Sequence, residues 1–417
     1  MIQIGNKIKV PQRAWSGDIE AVLDFPKGWE VRSYLMKGHD APPLTHGDFL
    51  EAFARPFGSK PIRELARGKK NVVILFDDLS RPTMTQEILP YVLDELAAGG
   101  VKQDAVQFIC ALGSHGALPA SDFRKKLGRD VVAHFPVYNH NPYENCKTIG
   151  KTKRGTPVSL NREFLDADLK IGIGTIVPHP TTGFGGGPKI VLPGVAAMES
   201  INYNHREVIH RARTSGIQDQ MGFGLYQNNA PLLDMIEACR MSGLDIKIDA
   251  LVNTQRRTVA LFVGHPIEVY YAGVEFARDH YLCERPHNAE VLVVNANAKV
   301  NESFIAFLAA QPLLKEGGGT LVLISNNPYG EVPHYTERRF GNHIAGQRWK
   351  PPVLSTNVRK FIFFMPERDL TSLDWFPAFE TVYWADTWSQ VKDILDTDYP
   401  EGCRVAVIPD GTIQYFR

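Results

Sequence analysis

Six side chains in the first half of the sequence have the types and settings that chemistry needs: Asp78, Arg81, His115, His179, Lys189 and His205. His115 stands in Gly113-Ser114-His115-Gly116 after one apolar run, and His179 in Pro178-His179-Pro180-Thr181-Thr182-Gly183 after another. Imidazole titrates near neutral pH, so a histidine serves as general acid, general base or metal ligand. A lone histidine is more often a hydrogen-bonded structural group. Here the shared setting, a loop beside glycine at a predicted strand end, favours function. His205 and His210 are five apart on a predicted helix and share no face, so no His-Glu-x-x-His zinc site forms. A metal at His205 must draw its other ligands from elsewhere in the fold or from a cofactor.

Lys189 closes the block Gly185-Gly186-Gly187-Pro188-Lys189, with Pro193-Gly194 just beyond. Glycine lets a ligand approach the backbone and proline fixes φ, so the loop reads as built to hold something close. A lysine held in such a frame anchors an anion or bonds covalently to a cofactor. The triple glycine lacks the Walker spacing and is a weak phosphate signal. Asp78 and Arg81 lie in Asp77-Asp78-Leu79-Ser80-Arg81-Pro82, where Arg81 can grip a carboxylate bidentately. A helix cap, with Pro82 near the first helical position, is the plainer alternative for this cluster.

The elements that position these residues alternate. Residues 71–76 form a continuous apolar run typical of a strand buried on both faces, and 85–98 a helix stopped by Gly99-Gly100. A strand over 105–112, a helix from about 120, a strand over 131–138, a hairpin over 147–158 and a strand over 169–176 follow. In a largely parallel sheet of this kind, ligands bind beyond the carboxyl ends of the strands, where Asp78, Arg81 and His115 all fall. Helices are expected over 195–213, broken at Thr214-Ser215-Gly216, over 232–242 and over 266–283, with two strands over 246–263 between them. The second half alternates again: strands over 289–294, 319–324, 360–364, 380–384 and 404–408, and helices over 302–315 and 390–396. The expected fold is two α/β domains, 1–285 and a smaller 286–417, with the active site in the cleft between them.

Lys plus Arg and Asp plus Glu both number 46, so no global field favours nucleic acid or an anionic membrane. No run approaches the length of a membrane span, and the start lacks a signal-peptide core. Five scattered cysteines without a Cys-x-x-Cys pair point to reduced thiols in a cytoplasmic protein. The remaining histidines, among them His140, His334 and His343, read as turn, surface or core-edge groups.

Taken together, Asp78-Leu79-Ser80-Arg81-Pro82, Gly113-Ser114-His115, His179 with Gly185-Gly186-Gly187-Pro188-Lys189, Pro193-Gly194 and Asn204-His205 resemble the nickel-dependent lactate racemase family. The resemblance implies a nickel-pincer nucleotide (nickel pyridinium bisthiocarboxylic acid mononucleotide) bound covalently to Lys189, with His205 as the protein ligand to nickel. It implies His115 and His179 as the acid–base pair, Arg81 on the substrate carboxylate, and Asp78, Gly186 and Gly187 at the cofactor, the glycines clearing space for a flat group. The implied reaction is racemisation or epimerisation of a 2-hydroxy acid by hydride transfer to and from the cofactor, which cofactor-biosynthesis enzymes must load. Family members close the site with a tyrosine, a glutamine and a lysine near the start of the second domain. Here Asn295-Ala296-Asn297-Ala298-Lys299 offers Lys299 as the counterpart of that lysine, with the tyrosine–glutamine pair not placed, so the implied substrate is lactate or a related, larger or more polar 2-hydroxy acid. Two other readings stand beside this one: a zinc-type hydrolase using the same histidines, and a non-catalytic carrier of the nucleotide.

Overall fold

A computed structural model describes residues 1–214, 221–338, 341, 355–376 and 382–417. Ser215 and Gly216 of the expected break, His343, and the start of the strand expected over 380–384 lie outside them. The chain divides into two compact units, one of Met1–Asp40, Asp279–Pro333 and Glu337–Arg417, the other of Ala41–Arg278 and His334–Thr336. The single boundary expected at 285/286 therefore differs from the observed division at the chain's start. The cause is strand pairing: Glu30–Tyr34 joins the C-terminal sheet in parallel with Arg404–Ile408.

The second unit carries the candidate residues other than Lys299. Its sheet runs in the order Thr258–Gly264, Ile246–Val252, Leu169–Thr175, Val72–Phe76, Val106–Cys110, Val137–Asn139. Every pairing is parallel except that of the edge strand Thr258–Gly264. Val72–Phe76 sits near the middle with every side chain fully buried, each contributing about 1.5–3 kcal/mol of apolar burial. From it the chain moves outward through Val106–Cys110 and Val137–Asn139, then returns to its other side with Leu169–Thr175. That reversal opens a crevice at the carboxyl ends of the central strands.

The helix Thr85–Ala98 has the expected bounds. The strand expected over 131–138 is replaced by a helix, Arg129–His134, and a short strand, Val137–Asn139. Gly128 at φ 90° starts the helix and Asp130 stands in its first turn, which outweighs the β-propensity of two valines.

In the first unit, seven strands run Ile2–Ile4, Glu30–Tyr34, Arg404–Ile408, Val291–Ala296, Gly319–Ser325, Val358–Phe364, Val382–Ala385, parallel except at the Ile2–Ile4 edge. Apolar clusters cover both faces. All five cysteines are free thiols, four of them buried. Among the described residues, no helix is long and apolar enough to cross a membrane.

Candidate active site

The loops that follow Val72–Phe76, Val106–Cys110 and Leu169–Thr175 converge at the crevice. Asp77, Asp78, Arg81, Ser114, His115, Gly186, Lys189 and Lys247 all line one pocket there. Asp78 begins a tight turn closed by Arg81 N–H donating to its carbonyl at 3.2 Å. Its Oδ1 accepts from Ser80 N–H at 2.9 Å and from the Ser80 hydroxyl. Its Oδ2 meets His115 Nδ1 at 2.6 Å. Burial alone would raise the Asp78 carboxyl, but His115, then Arg81 and Ser80, outweigh it and bring the pKa down to about 2. An ionised Asp78 makes Nδ1 of His115 the donor and leaves Nε2 with the lone pair. Arg81 is anchored through Nη1, which donates to Ser80 O at 2.9 Å and Ser80 Oγ at 2.8 Å.

Lys189 lies half-buried in the 3₁₀ turn Gly187–Ile190, which Gly186 (φ 82°) and Gly187 (φ 51°) lead into. Gly187 N–H donates to Asp249 Oδ2 at 2.8 Å. A Cβ on Gly187 would run into the Tyr270 ring, and one on Gly186 would sit 2.8 Å from the Thr175 carbonyl. The glycines thus let the loop pack tightly on its own sheet and on Tyr270. The space at Gly187 expected for a flat ligand is taken by protein, while Gly186 stays on the pocket wall beside Lys189.

His179 sits on a two-residue strand, Pro178–His179, paired with Gly183–Phe184. Its Nδ1 accepts from Thr181 N–H at 3.2 Å and Thr182 N–H at 3.3 Å, which puts the proton of the neutral ring on Nε2. His205 lies in a π-helical turn, Tyr203–Val208, a backbone feature found often at functional sites. Its Nδ1 donates to Ile201 O at 3.2 Å, leaving Nε2 as the available lone pair. Burial, then the Lys189 charge, with smaller effects from Arg206 and His115, lowers its pKa to about 3 and keeps the ring neutral. Among the described residues lining the pocket, neither His179 nor His205 is included. Lys299 belongs to the other unit, where its buried amine pairs with Glu302 at 3.0 Å.

Several residues at the site escaped the sequence reading. Lys126 is fully buried and pairs with Asp77 at 2.7 Å; burial lowers its pKa and Asp77 opposes the fall. Lys247 is likewise fully buried, paired with Asp249 at 2.5 Å. His334, expected at a surface or core edge, forms an antiparallel bridge with His115, their rings 5.2 Å apart. Its Nε2 lies 3.3 Å from Ser114 Oγ, while Tyr335 N–H donates to Ser114 O at 2.7 Å and Arg206 to Thr336 O at 2.7 Å. His140 is buried, donating to Ala196 O at 2.9 Å. Among the described residues, no group of three or more His, Cys, Asp or Glu side chains is arranged to hold a metal ion.

Residues 17–216 match the lactate racemase N-terminal domain. The chain is 30% identical over 280 residues to lactate racemase of Thermoanaerobacterium thermosaccharolyticum, and 28% identical over 282 residues to that of Lactiplantibacillus plantarum. Each alignment covers 65% of this chain and 63% of the relative. In three dimensions the chain resembles the lactate racemase apoprotein of T. thermosaccharolyticum, with TM-score 0.73, 23% identity, and coverage of 99% and 100% of the two chains. A Thermotoga maritima protein matches at TM-score 0.66 and 17% identity, over 90% of this chain and 99% of that one. The two structural likenesses speak to the fold, and the sequence matches make the chain similar to lactate racemases over 65% of its length.

Proposed function

We propose, for a chain that carries the lactate racemase N-terminal domain, that it is an isomerase inverting the hydroxyl-bearing carbon of a 2-hydroxy acid, lactate or a related acid. The observation that carries this reading is the Asp78–His115 contact in a pocket shared with Arg81 and Lys189. Arg81, its guanidinium steadied by Ser80, suits a substrate carboxylate held bidentately. His115, with Nδ1 committed to Asp78, presents Nε2 as the base that takes the hydroxyl proton, and the ionised Asp78 stabilises the imidazolium that results.

His179 is the partner in proton transfer: as the imidazolium it gives a proton to the substrate oxygen and is left as the neutral ring, its Nδ1 facing the Thr181 and Thr182 N–H groups. A neutral ring and an imidazolium suit an inversion, in which one histidine takes a hydroxyl proton on one face of the substrate and the other returns one on the opposite face. The reverse reaction exchanges the two roles.

The residues fit the nickel-pincer nucleotide. Lys189 brings an amine to the pocket wall, and His205 offers a neutral imidazole oriented through Ile201, with its Nε2 available to nickel. When bound, that group supplies the acceptance and return of hydride at the substrate carbon. The test is co-expression with the cofactor-biosynthesis enzymes, followed by intact mass, nickel content, and chiral assay of lactate and a panel of 2-hydroxy acids. The expected result is an adduct on Lys189, bound nickel and inversion of at least one acid. A preparation that loads a lactate racemase but leaves this chain without adduct and nickel would sink the proposal.

A further inference from the structure

We propose that Lys126 is the positioning residue of this site, fixing from beneath the pocket the turn that carries Asp78 and Arg81. The inference rests on the racemase reading for its kinetic consequence and on geometry alone for its structural one. An ammonium has three donors and no acceptor. Lys126 Nζ meets three acceptors of a single turn: Asp78 O at 3.0 Å, Arg81 O at 2.9 Å and Asp77 Oδ1 at 2.7 Å.

The two carbonyls are the first and last of the turn that Arg81 N–H closes onto Asp78 O. Asp77 is tied in turn to Thr83 Oγ1 at 2.5 Å, so the clamp reaches from residue 77 to residue 83. Lys126 comes from the last turn of the helix Ala120–Leu127, where its neighbour Lys125 pairs with Asp122 at 2.9 Å and keeps partial access to solvent. Its own side chain has no exposed surface. Burying an ammonium is unfavourable unless it is paired and hydrogen-bonded, and packing alone would be met by Met or Leu. What an ammonium adds is a grip on backbone carbonyls that no apolar side chain supplies. Through that grip Lys126 holds both the carboxylate behind His115 and the anchored Arg81, without touching substrate itself.

The test compares wild type, D77N, K126M/D77N and K126Q. The double variant removes both buried charges together, and K126Q keeps two donors beside Asp77 in case the double variant does not fold. Hydrogen exchange of the apo chain should be roughly tenfold faster or more at the amides of residues 78–81 and 83 in K126M/D77N. It should rise less in D77N than in the double variant, because the grip of Lys126 on the Asp78 and Arg81 carbonyls remains, and be intermediate in K126Q, with the other segments of the unit unchanged. On the loaded enzyme with lactate, K126M/D77N should lower kcat and raise KM, each by roughly tenfold or more. Wild-type exchange at these amides in both Lys126 variants, equal acceleration in D77N, or acceleration spread evenly over the unit overturns the proposal. So does accelerated exchange with unchanged kinetics. If loaded wild type does not turn over lactate, the racemase reading fails on that acid while the exchange result still decides the clamp.

Discussion

Replacing Asp78 by Asn isolates the carboxylate behind His115 and leaves the rest of the pocket in place. The fall of its pKa from 3.8 to about 2, against the opposing effect of burial, favours the charged form by on the order of 2 kcal/mol. His115 is the largest favourable contributor, so withdrawing the charge costs the developing imidazolium on the order of 2 kcal/mol, about 30-fold in rate. That is a lower bound. An Asn that turns its amide N–H toward Nδ1 flips the ring tautomer and protonates Nε2, and a comparable change in a protease triad costs roughly 10⁴. Asn Oδ1 can still accept from Ser80 N–H, so the turn and Arg81 keep their places and KM should change by less than about threefold. The assay is initial-rate inversion of each enantiomer by loaded enzyme, with the Lys189 adduct verified by mass. A kcat within threefold of wild type, or a loss confined to KM, would refute the reasoning.

Glycine 187 should tolerate no side chain: G187A combines φ 51° with a clash against Tyr270 and should cost about 3 kcal/mol or more. G185A meets only ordinary contact at 3.7 Å and should stay within about 1 kcal/mol in urea denaturation, and equal losses would contradict the packing. Glu331 in the first unit is raised to about 7, by burial above all, with its Oε1 held by Ser303. A raised acid contributes stability fully present below pH 4.5 and lost as pH rises through about 7. E331Q should therefore match wild type at pH 5 and exceed it at pH 8 by up to about 3 kcal/mol, and an equal difference at both pH values would rule this out. His140 is lowered by burial to about 4, so its contribution is present above pH 6.5 and lost as pH falls through 4. Wild type should lose about 3 kcal/mol over that window through this group, and H140Q should flatten the acid slope in apo-protein denaturation; an unchanged slope would reject the assignment.

Where sequence reading succeeded, local pattern decided the structure. The apolar run at 72–76 is typical of a strand buried on both faces, and Asp78 and His115 were both legible as strand-end groups because parallel strands send their following loops to one edge. Their 2.6 Å contact was not legible, since it depends on Val72–Phe76 and Val106–Cys110 being neighbours in register. Pairing of Glu30–Tyr34 with Arg404–Ile408 is further from any local signal, being fixed by tertiary packing between the chain's two ends. Arg124-Lys125-Lys126 reads as a solvated basic last turn of a helix, and nothing in the spacing says that only Lys126 turns inward. Lys247 sits in a strand whose other residues are all buried, where a charge looks like a break in the pattern until Asp249 is seen beside it. His334 carries no motif at all; its place beside His115 comes from a three-residue segment that clusters away from its chain neighbours. The glycine block was recognised as special, but its cause at Gly187 is close packing on Tyr270.

The unequal backing of the two histidines leads to a sharper consequence. His115 is supported by a carboxylate and His179 by two backbone N–H groups, so D78N weakens one base and leaves the other's partners untouched. Intuition expects one direction of reaction to suffer more. Thermodynamics forbids it for a racemase: enantiomers have equal free energy, so kcat/KM must be the same for both in wild type and in every variant. D78N can shift kcat and KM of the two enantiomers separately, yet only so that their ratios fall together. Lactate, with a single stereocentre, must obey this. A 2-hydroxy acid with a second stereocentre need not, because its two forms are diastereomers of different free energy. Measuring kcat/KM in both directions with the natural substrate therefore separates racemase from epimerase without structural work on the bound acid: a ratio of one in wild type and D78N alike marks a racemase, and a constant ratio different from one marks an epimerase. A ratio that changes between wild type and D78N would mean that the two directions are not one reversible reaction, and the acid–base assignment to His115 and His179 would fall with it.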